Sequence, residues 1–221
     1  WKHPAMTAHP KILVALALVA AVTALRPAGA GEPAPSTRFV TDDTPEIAEI
    51  RQLGESAINR LAVNLVREVN SALAKDGPEG AVDACHLKAL PLTRGTVAGL
   101  PRITAVKRTS LKLRSPANAP DAAEQLALDY LRQQLENGDS PAALLVQRVE
   151  APPAPAEWRV YKPLGVMPKC LVCHGDPADQ SAALRAKLQT HYPADQASGY
   201  QAGEWRGLIR VTVADAPAKK P

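Results

Sequence analysis

Cys170-Leu171-Val172-Cys173-His174, five residues late in a chain of 221, is the stretch around which the rest of the sequence can be ordered. Two cysteines three positions apart, followed at once by histidine, form the C-x-x-C-H attachment pattern of a c-type haem. The spacing has a chemical reason. Thiols at that separation can add to the two vinyl groups on one porphyrin edge. The next residue then lies beneath the ring, where an imidazole nitrogen can bind iron. The expectation is one covalent haem c on Cys170 and Cys173, with His174 as an iron ligand.

Other chemistries use similar spacings. Zinc takes about four Cys, His or carboxylate ligands. The chain has three cysteines, so a zinc site would need Cys170, Cys173, His174 and the distant Cys85. A thiol redox motif would need a β-α-β frame around C-x-x-C, which the proline-rich approach to Cys170 does not resemble. A Cys170–Cys173 disulfide would close a small, strained ring.

Haem attachment of this type implies export, and the N-terminus agrees. Lys11 precedes the apolar run Ile12 to Leu25, and Ala28-Gly29-Ala30 offers a small-x-small cleavage site. Residues 1–30 therefore read as a signal peptide cleaved near Ala30, giving a periplasmic protein. The run is short and Ala-rich for a membrane span, so no stable insertion is expected after processing; a retained anchor is the competing reading. The whole chain carries a net charge of +4, but removing this segment leaves 23 basic against 22 acidic residues. Near-neutrality gives no reason to expect a nucleic-acid partner.

Outward from the motif, residues 31–42 read as a flexible leader, 43–215 as a single domain and 216–221 as a tail. Asp43-Thr44-Pro45-Glu46 is a helix start, with Asp43 or Thr44 able to cap and Pro45 suited to the first helical position. Ile47, Ile50, Ala57, Ile58, Leu61, Leu65, Val69 and Leu73 recur at helical spacing, and Gly77-Pro78 closes the run. The narrow stripe suits either core packing or a homodimer seam. A second helix spans Pro78 to about Ala89, stopped by Pro91. Strands are expected over 103–110, 143–149, 158–163 and 208–213. Helices are expected over 121–136, with Leu126, Tyr130 and Leu131 inward, and over 180–189. Helices first, then antiparallel strands with helices between them, make an α+β domain. Single-haem electron shuttles that are nearly all helical place their motif early; here it lies late, among strands.

The second iron ligand decides what such a site can do. Met167 lies just before Cys170, where the chain must run along the ring edge. His191 reads as a surface histidine. Cys85 and His86 remain. Neighbouring helical residues point about 100° apart, so one of them at most faces the iron. Cys85 shares an apolar face with Val82 and Ala89, while His86 turns away. Spacing alone leaves Cys85 as either a ligand or a small buried hydrophobe, with an open distal site for a gas or peroxide as the remaining reading.

Ala81-Val82-Asp83-Ala84-Cys85, Arg108-Thr109-Ser110, Arg114 to Asp121, Tyr161-Lys162-Pro163, Cys170 to Gly175 and Gly199-Tyr200 with Gly203 and Gly207 together resemble a known family. It is the exported c-type haem family that includes cyanobacterial Tll-type proteins and haem sensor segments of histidine kinases. The likeness spans roughly residues 45–214. It implies a PAS-like antiparallel sheet cupping a haem, preceded by long helices. It implies Cys85 as the iron ligand opposite His174, and polar groups near the haem at Arg108 and Asn118, with Arg108 pairing with a propionate. Ser115 stands where the family usually has Asn.

The functional expectation is a non-enzymatic sensor of redox state or of a diatomic gas, signalling by loss or exchange of Cys85. A periplasmic electron carrier serving a redox partner protein is the alternative. A peroxidase-type enzyme ranks last, because no distal His/Arg pair is visible.

Overall fold

The structure is a computed structural model that describes residues 36–215. The expected signal peptide and tail lie outside the described residues. Nine regular elements follow in order: β1 (Ser36–Val40), α1 (Pro45–Gly95), β2 (Ile103–Thr109), α2 (Ala122–Glu136), β3 (Leu145–Glu150), β4 (Glu157–Gly165), α3 (Leu171–His174), α4 (Ala182–His191) and β5 (Trp205–Ala214). The strands form one open antiparallel sheet in the order β1-β3-β4-β5-β2. The α+β expectation holds, with a long N-terminal helix leading into the sheet.

Helix α1 starts as its sequence dictates. Thr44 Oγ1 accepts the Ile47 amide at 3.3 Å, and Pro45 sits where a missing N–H costs nothing. At Gly77 the backbone turns to φ 70°, ψ −169°, and the helix becomes two arms. Only glycine enters that region without steric cost. The second arm was expected to end at Pro91 but continues to Gly95. Proline removes one helical hydrogen bond while keeping a helical φ. Burial of Ala89, Thr93 and Thr96, with Thr93 Oγ1 donating to the Ala89 carbonyl at 2.6 Å, carries the last turns past it.

The first arm lies on one face of the sheet. Ile47, Ile50, Ala57, Ile58 and Leu61 pack against Val146, Trp158, Val160, Ile209, Val211 and Val213. The approach is close: a Cβ on Gly54 would fall 2.5 Å from Val160 Cβ. Beyond Leu61 the coverage thins, since Leu65, Val69 and Leu73 are half-buried and Val63 and Val66 are exposed. Helix α2 covers the opposite face with Ala127, Leu128 and Leu131 against Leu145, Tyr161 and Leu208. Leu126, expected to point inward, is half exposed instead. Its neighbours Ala127 and Leu128 occupy the inner side of that turn.

Residues 31–42 require a correction. Ser36–Val40 is no leader but an edge strand, paired antiparallel with β3 from Ser36 opposite Glu150 to Val40 opposite Val146. Val40 enters the core, and the Phe39 ring stacks on Tyr130 with centroids 4.7 Å apart. A short edge strand with polar alternate residues carries little periodic signal in its sequence.

Register places the sheet's polar residues. Arg108 of β2 lies opposite Ile209 and Thr109 opposite Leu208. Side chains alternate between faces. Arg108 therefore points to the α1 side, where the second arm carries Cys85.

Candidate functional site

The C-x-x-C-H segment folds as a tight turn over 168–170 that runs into the single-turn helix α3. Gly175 closes it by donating its amide to the Leu171 carbonyl at 2.8 Å. A Cβ there would lie 2.6 Å from that same oxygen, so glycine is a steric requirement. The chain then returns over the motif. The Gly199 amide bonds the Gly175 carbonyl at 2.8 Å, and the Tyr200 amide bonds the His174 carbonyl at 2.9 Å.

His174 is oriented by the backbone. Its Nδ1 lies 2.7 Å from the Ala197 carbonyl oxygen, which can only accept a hydrogen bond. The proton must therefore sit on Nδ1, leaving the lone pair of Nε2 free. Burial, reinforced by Arg114, Arg206 and Arg108, holds the imidazole pKa down at about 3 against the pull of the Ala197 bond. The ring is neutral at any physiological pH. Tyr200 meets it edge-on, with centroids 6.3 Å apart.

Arg114 supports this arrangement. Its Nη2 donates to the Cys173 carbonyl at 2.5 Å and to the Ala197 carbonyl at 3.1 Å, and its Nε donates to Asp195 Oδ2 at 3.0 Å. Asp195 Oδ1 accepts the Ala197 amide at 2.8 Å. Ala197, whose carbonyl orients His174, is thus held at its carbonyl by Arg114 and at its amide by Asp195.

Cys85 arrives from the second arm of α1. Val82, one turn earlier, packs with Leu184, Leu188 and Tyr192, and Cys173 lies against this cluster. As the sequence implied, Val82 and Ala89 are buried beside a half-buried Cys85, while His86 faces out. Among the described residues no disulfide joins the three cysteines. Burial raises the Cys85 pKa, and Arg108 and Arg114 pull it back. Burial lifts Cys173 to about 11, and charge on Cys85 or Cys170 would lift it further, while Arg114 opposes. The structure therefore brings Cys85, Cys173, His174 and Arg108 into one electrostatic neighbourhood. Cys170 packs beside Val166, Ala197 and Tyr200.

Arg108 is the unbalanced member. Its Nε is buried and lacks a hydrogen-bond partner among the described residues. Burial lowers its pKa, and negative charge on Cys85 or Tyr192 would raise it. A buried guanidinium nitrogen without an acceptor is a place for an anion. Asn118 behaves differently. It lies half-buried in the turn 116–118, which Lys107 ties down through the Ala119 carbonyl at 2.6 Å. Among the described residues no hydrogen bond joins its side chain to Cys85, Cys173 or His174.

The remaining ligand candidates lie elsewhere. Met167 is half exposed and borders an open groove of about 520 Å³ with Val63 and Val66. A second groove, of about 480 Å³, runs between Arg60 and Leu92. Neither groove contains Cys85, Cys173 or His174. His191 stacks on His86 at 4.3 Å, and its Nε2 lies 3.0 Å from Asp83 Oδ1. Among the described residues no three His, Cys, Asp or Glu side chains converge as metal ligands do.

Arg114, Asp195 and Ala197 were not singled out as site residues from sequence. Arg114 stood inside a resembling segment, but its partners are backbone carbonyls far along the chain, which no side-chain motif reveals.

A family model described as Tll0287-like matches residues 92–214. The crystal structure of the cyanobacterial heme-protein Tll0287 superposes with a TM-score of 0.52 at 20% sequence identity, covering 79% of this chain and 98% of that one. No curated protein matches. At that identity the superposition speaks to the fold, an antiparallel sheet led by a long helix. With the family model covering more than half of its length, the chain belongs to the Tll0287-like family.

Proposed function

We propose that the chain is an exported protein carrying one covalent haem c, held between His174 and Cys85, that senses redox state or a small diatomic ligand. The observation that carries this reading is His174. Its Nδ1 is committed to the Ala197 carbonyl and its Nε2 is left as a free donor, the arrangement of a metal-binding histidine. The name of the superposed relative, a heme-protein, agrees with it.

The residues fit the group. Cys170 and Cys173 supply the two thioether links and His174 Nε2 one iron ligand. Cys85 sulfur would be the second iron ligand; burial raises its pKa, and Arg108 and Arg114 pull it back. The orphaned Nε of Arg108 suits a propionate oxygen. Bound there, the haem supplies one-electron chemistry and a coordination position whose character depends on the opposing ligand. Cys85 is the movable member. It sits on one arm of a kinked helix, whereas His174 is held at its ring by the Ala197 carbonyl and at its own carbonyl by the Tyr200 amide. Release of Cys85 on reduction or on gas binding would be the signal. The protein is not an enzyme in this reading.

Haem staining on a denaturing gel tests attachment. Colour should stay with the wild-type polypeptide and be lost in a Cys170→Ser, Cys173→Ser double variant. Electron-spin-resonance spectra of Cys85→Ala should lose the low-spin ferric signature of a thiolate ligand. An unchanged signature would remove Cys85 from the iron. A thiolate that persists in both oxidation states would instead favour an electron carrier that docks a redox partner protein.

A further inference from the structure

We infer that Arg114 is the positioning residue of the site, fixing His174 through the Ala197 carbonyl; the inference rests on His174 being the iron ligand proposed above. The side chain is nearly buried, at 12% exposure, and so is Asp195 at 14%. Its guanidinium holds three acceptors at once: the carbonyls of Cys173 and Ala197 and the Asp195 carboxylate. Asp195 in turn holds the Ala197 amide, so Arg114, Asp195 and Ala197 form a closed ring of hydrogen bonds. The Ala197 carbonyl accepts from His174 Nδ1 at 2.7 Å. The imidazole orientation is therefore only as fixed as this ring.

Two effects follow, and they share a sign. A carbonyl already bonded to a cation is a weaker acceptor, so Arg114 limits how far Nδ1–H is polarised toward imidazolate character. The Arg114 charge also opposes the extra positive charge of an oxidised centre. Both favour the reduced state. Lysine could restore the charge but not the fork, because a single ammonium cannot present donors in the plane of three fixed acceptors.

The test uses the full-length holoprotein with Arg114→Gln, Arg114→Lys and Asp195→Asn. In Arg114→Gln the midpoint potential should fall by about 59 mV, the one-electron equivalent of a tenfold shift toward the oxidised form. Exchange of the His174 Nδ1 proton, read by nitrogen-15 histidine NMR, should quicken at least tenfold. Arg114→Lys should keep the potential near wild type yet show the faster exchange. Asp195→Asn should show faster exchange as well, and it serves where Arg114→Gln does not fold. Unchanged potential and unchanged exchange in the folded variants overturn the inference. If the wild-type protein holds no haem, the functional reading fails on its own. Proton exchange in the haem-free chain then still decides whether Arg114 positions His174.

Discussion

Glu124 has no solvent exposure, so its charge must be met inside the protein. It is met three ways. Lys107 Nζ donates to Oε2 at 2.6 Å, and the Asp121 amide donates to the same oxygen at 2.9 Å. Arg210 Nε lies 2.8 Å from Oε1 as an ion pair without the alignment of a hydrogen bond. Lys107 and Arg210 are opposite one another in the β2–β5 register, so two cations share one buried carboxylate. Removing one partner of a buried ion group costs roughly 3–5 kcal/mol, because the others stay desolvated and unpaired. Glu124→Ala should lose about that much in urea unfolding, and a loss under about 1 kcal/mol would mean that water reaches the site. Only half of this role is legible in the sequence. Asp121 and Glu124 show a capping pair at the required spacing. Nothing in the spacing says that one strand before Glu124 and another far after it would deliver cations to the same carboxylate.

At the scale of elements, α2 begins with a complete capping box. Asp121 Oδ1 accepts the Glu124 amide at 2.8 Å while Glu124 answers the Asp121 amide. Arg159 of β4 adds two contacts at 2.8 Å and ties the helix start to the sheet. Burial pushes the Asp121 carboxyl up, but Arg159 and the Glu124 amide win and hold it below its ordinary value of 3.8. A depressed folded-state pKa stabilises the fold fully above the unfolded value and fades as pH falls through the folded one. Asp121→Ala should therefore cost about 1 kcal/mol near neutral pH. In thermal melts the gap to wild type should narrow below pH 4. A gap that is constant down to pH 2 would show that the carboxylate charge contributes nothing. The kink in α1 offers a second check. Gly77→Ala forces a side chain into φ 70°, ψ −169° at a cost of roughly 1–3 kcal/mol. It also disturbs the arm that carries Cys85, so under the proposed ligation the low-spin ferric signal should broaden together with the loss of stability.

The site as a whole is drawn from five places: the second arm of α1, the end of β2, the loop at Arg114, the C-x-x-C-H turn and the return loop at 195–200. Side-chain chemistry singles out Cys170, Cys173 and His174 as candidates, because their spacing is constrained, whereas Cys85 enters as a ligand only through the family resemblance. The clamp around Ala197 was not legible, because its acceptors are main-chain atoms whose meeting depends on tertiary closure. The same limit hid β1. Its pairing lies more than a hundred residues away on β3, and its residues alternate too weakly to stand out. That strand yields the prediction for the molecule as a whole. A polypeptide beginning at residue 43 would lose Val40 from the core and the Phe39 ring from Tyr130. Burying side chains of this size stabilises by about 1.5–3 kcal/mol each, so roughly 3–5 kcal/mol should vanish. The loss also bares the backbone of β3 as a new sheet edge, which invites pairing between chains. Compared with a polypeptide beginning at residue 33, the shorter one should unfold at lower urea and elute partly as larger species in size-exclusion chromatography. If both chains are monomeric and equally stable, β1 is an ornament on the sheet and the domain does begin at α1.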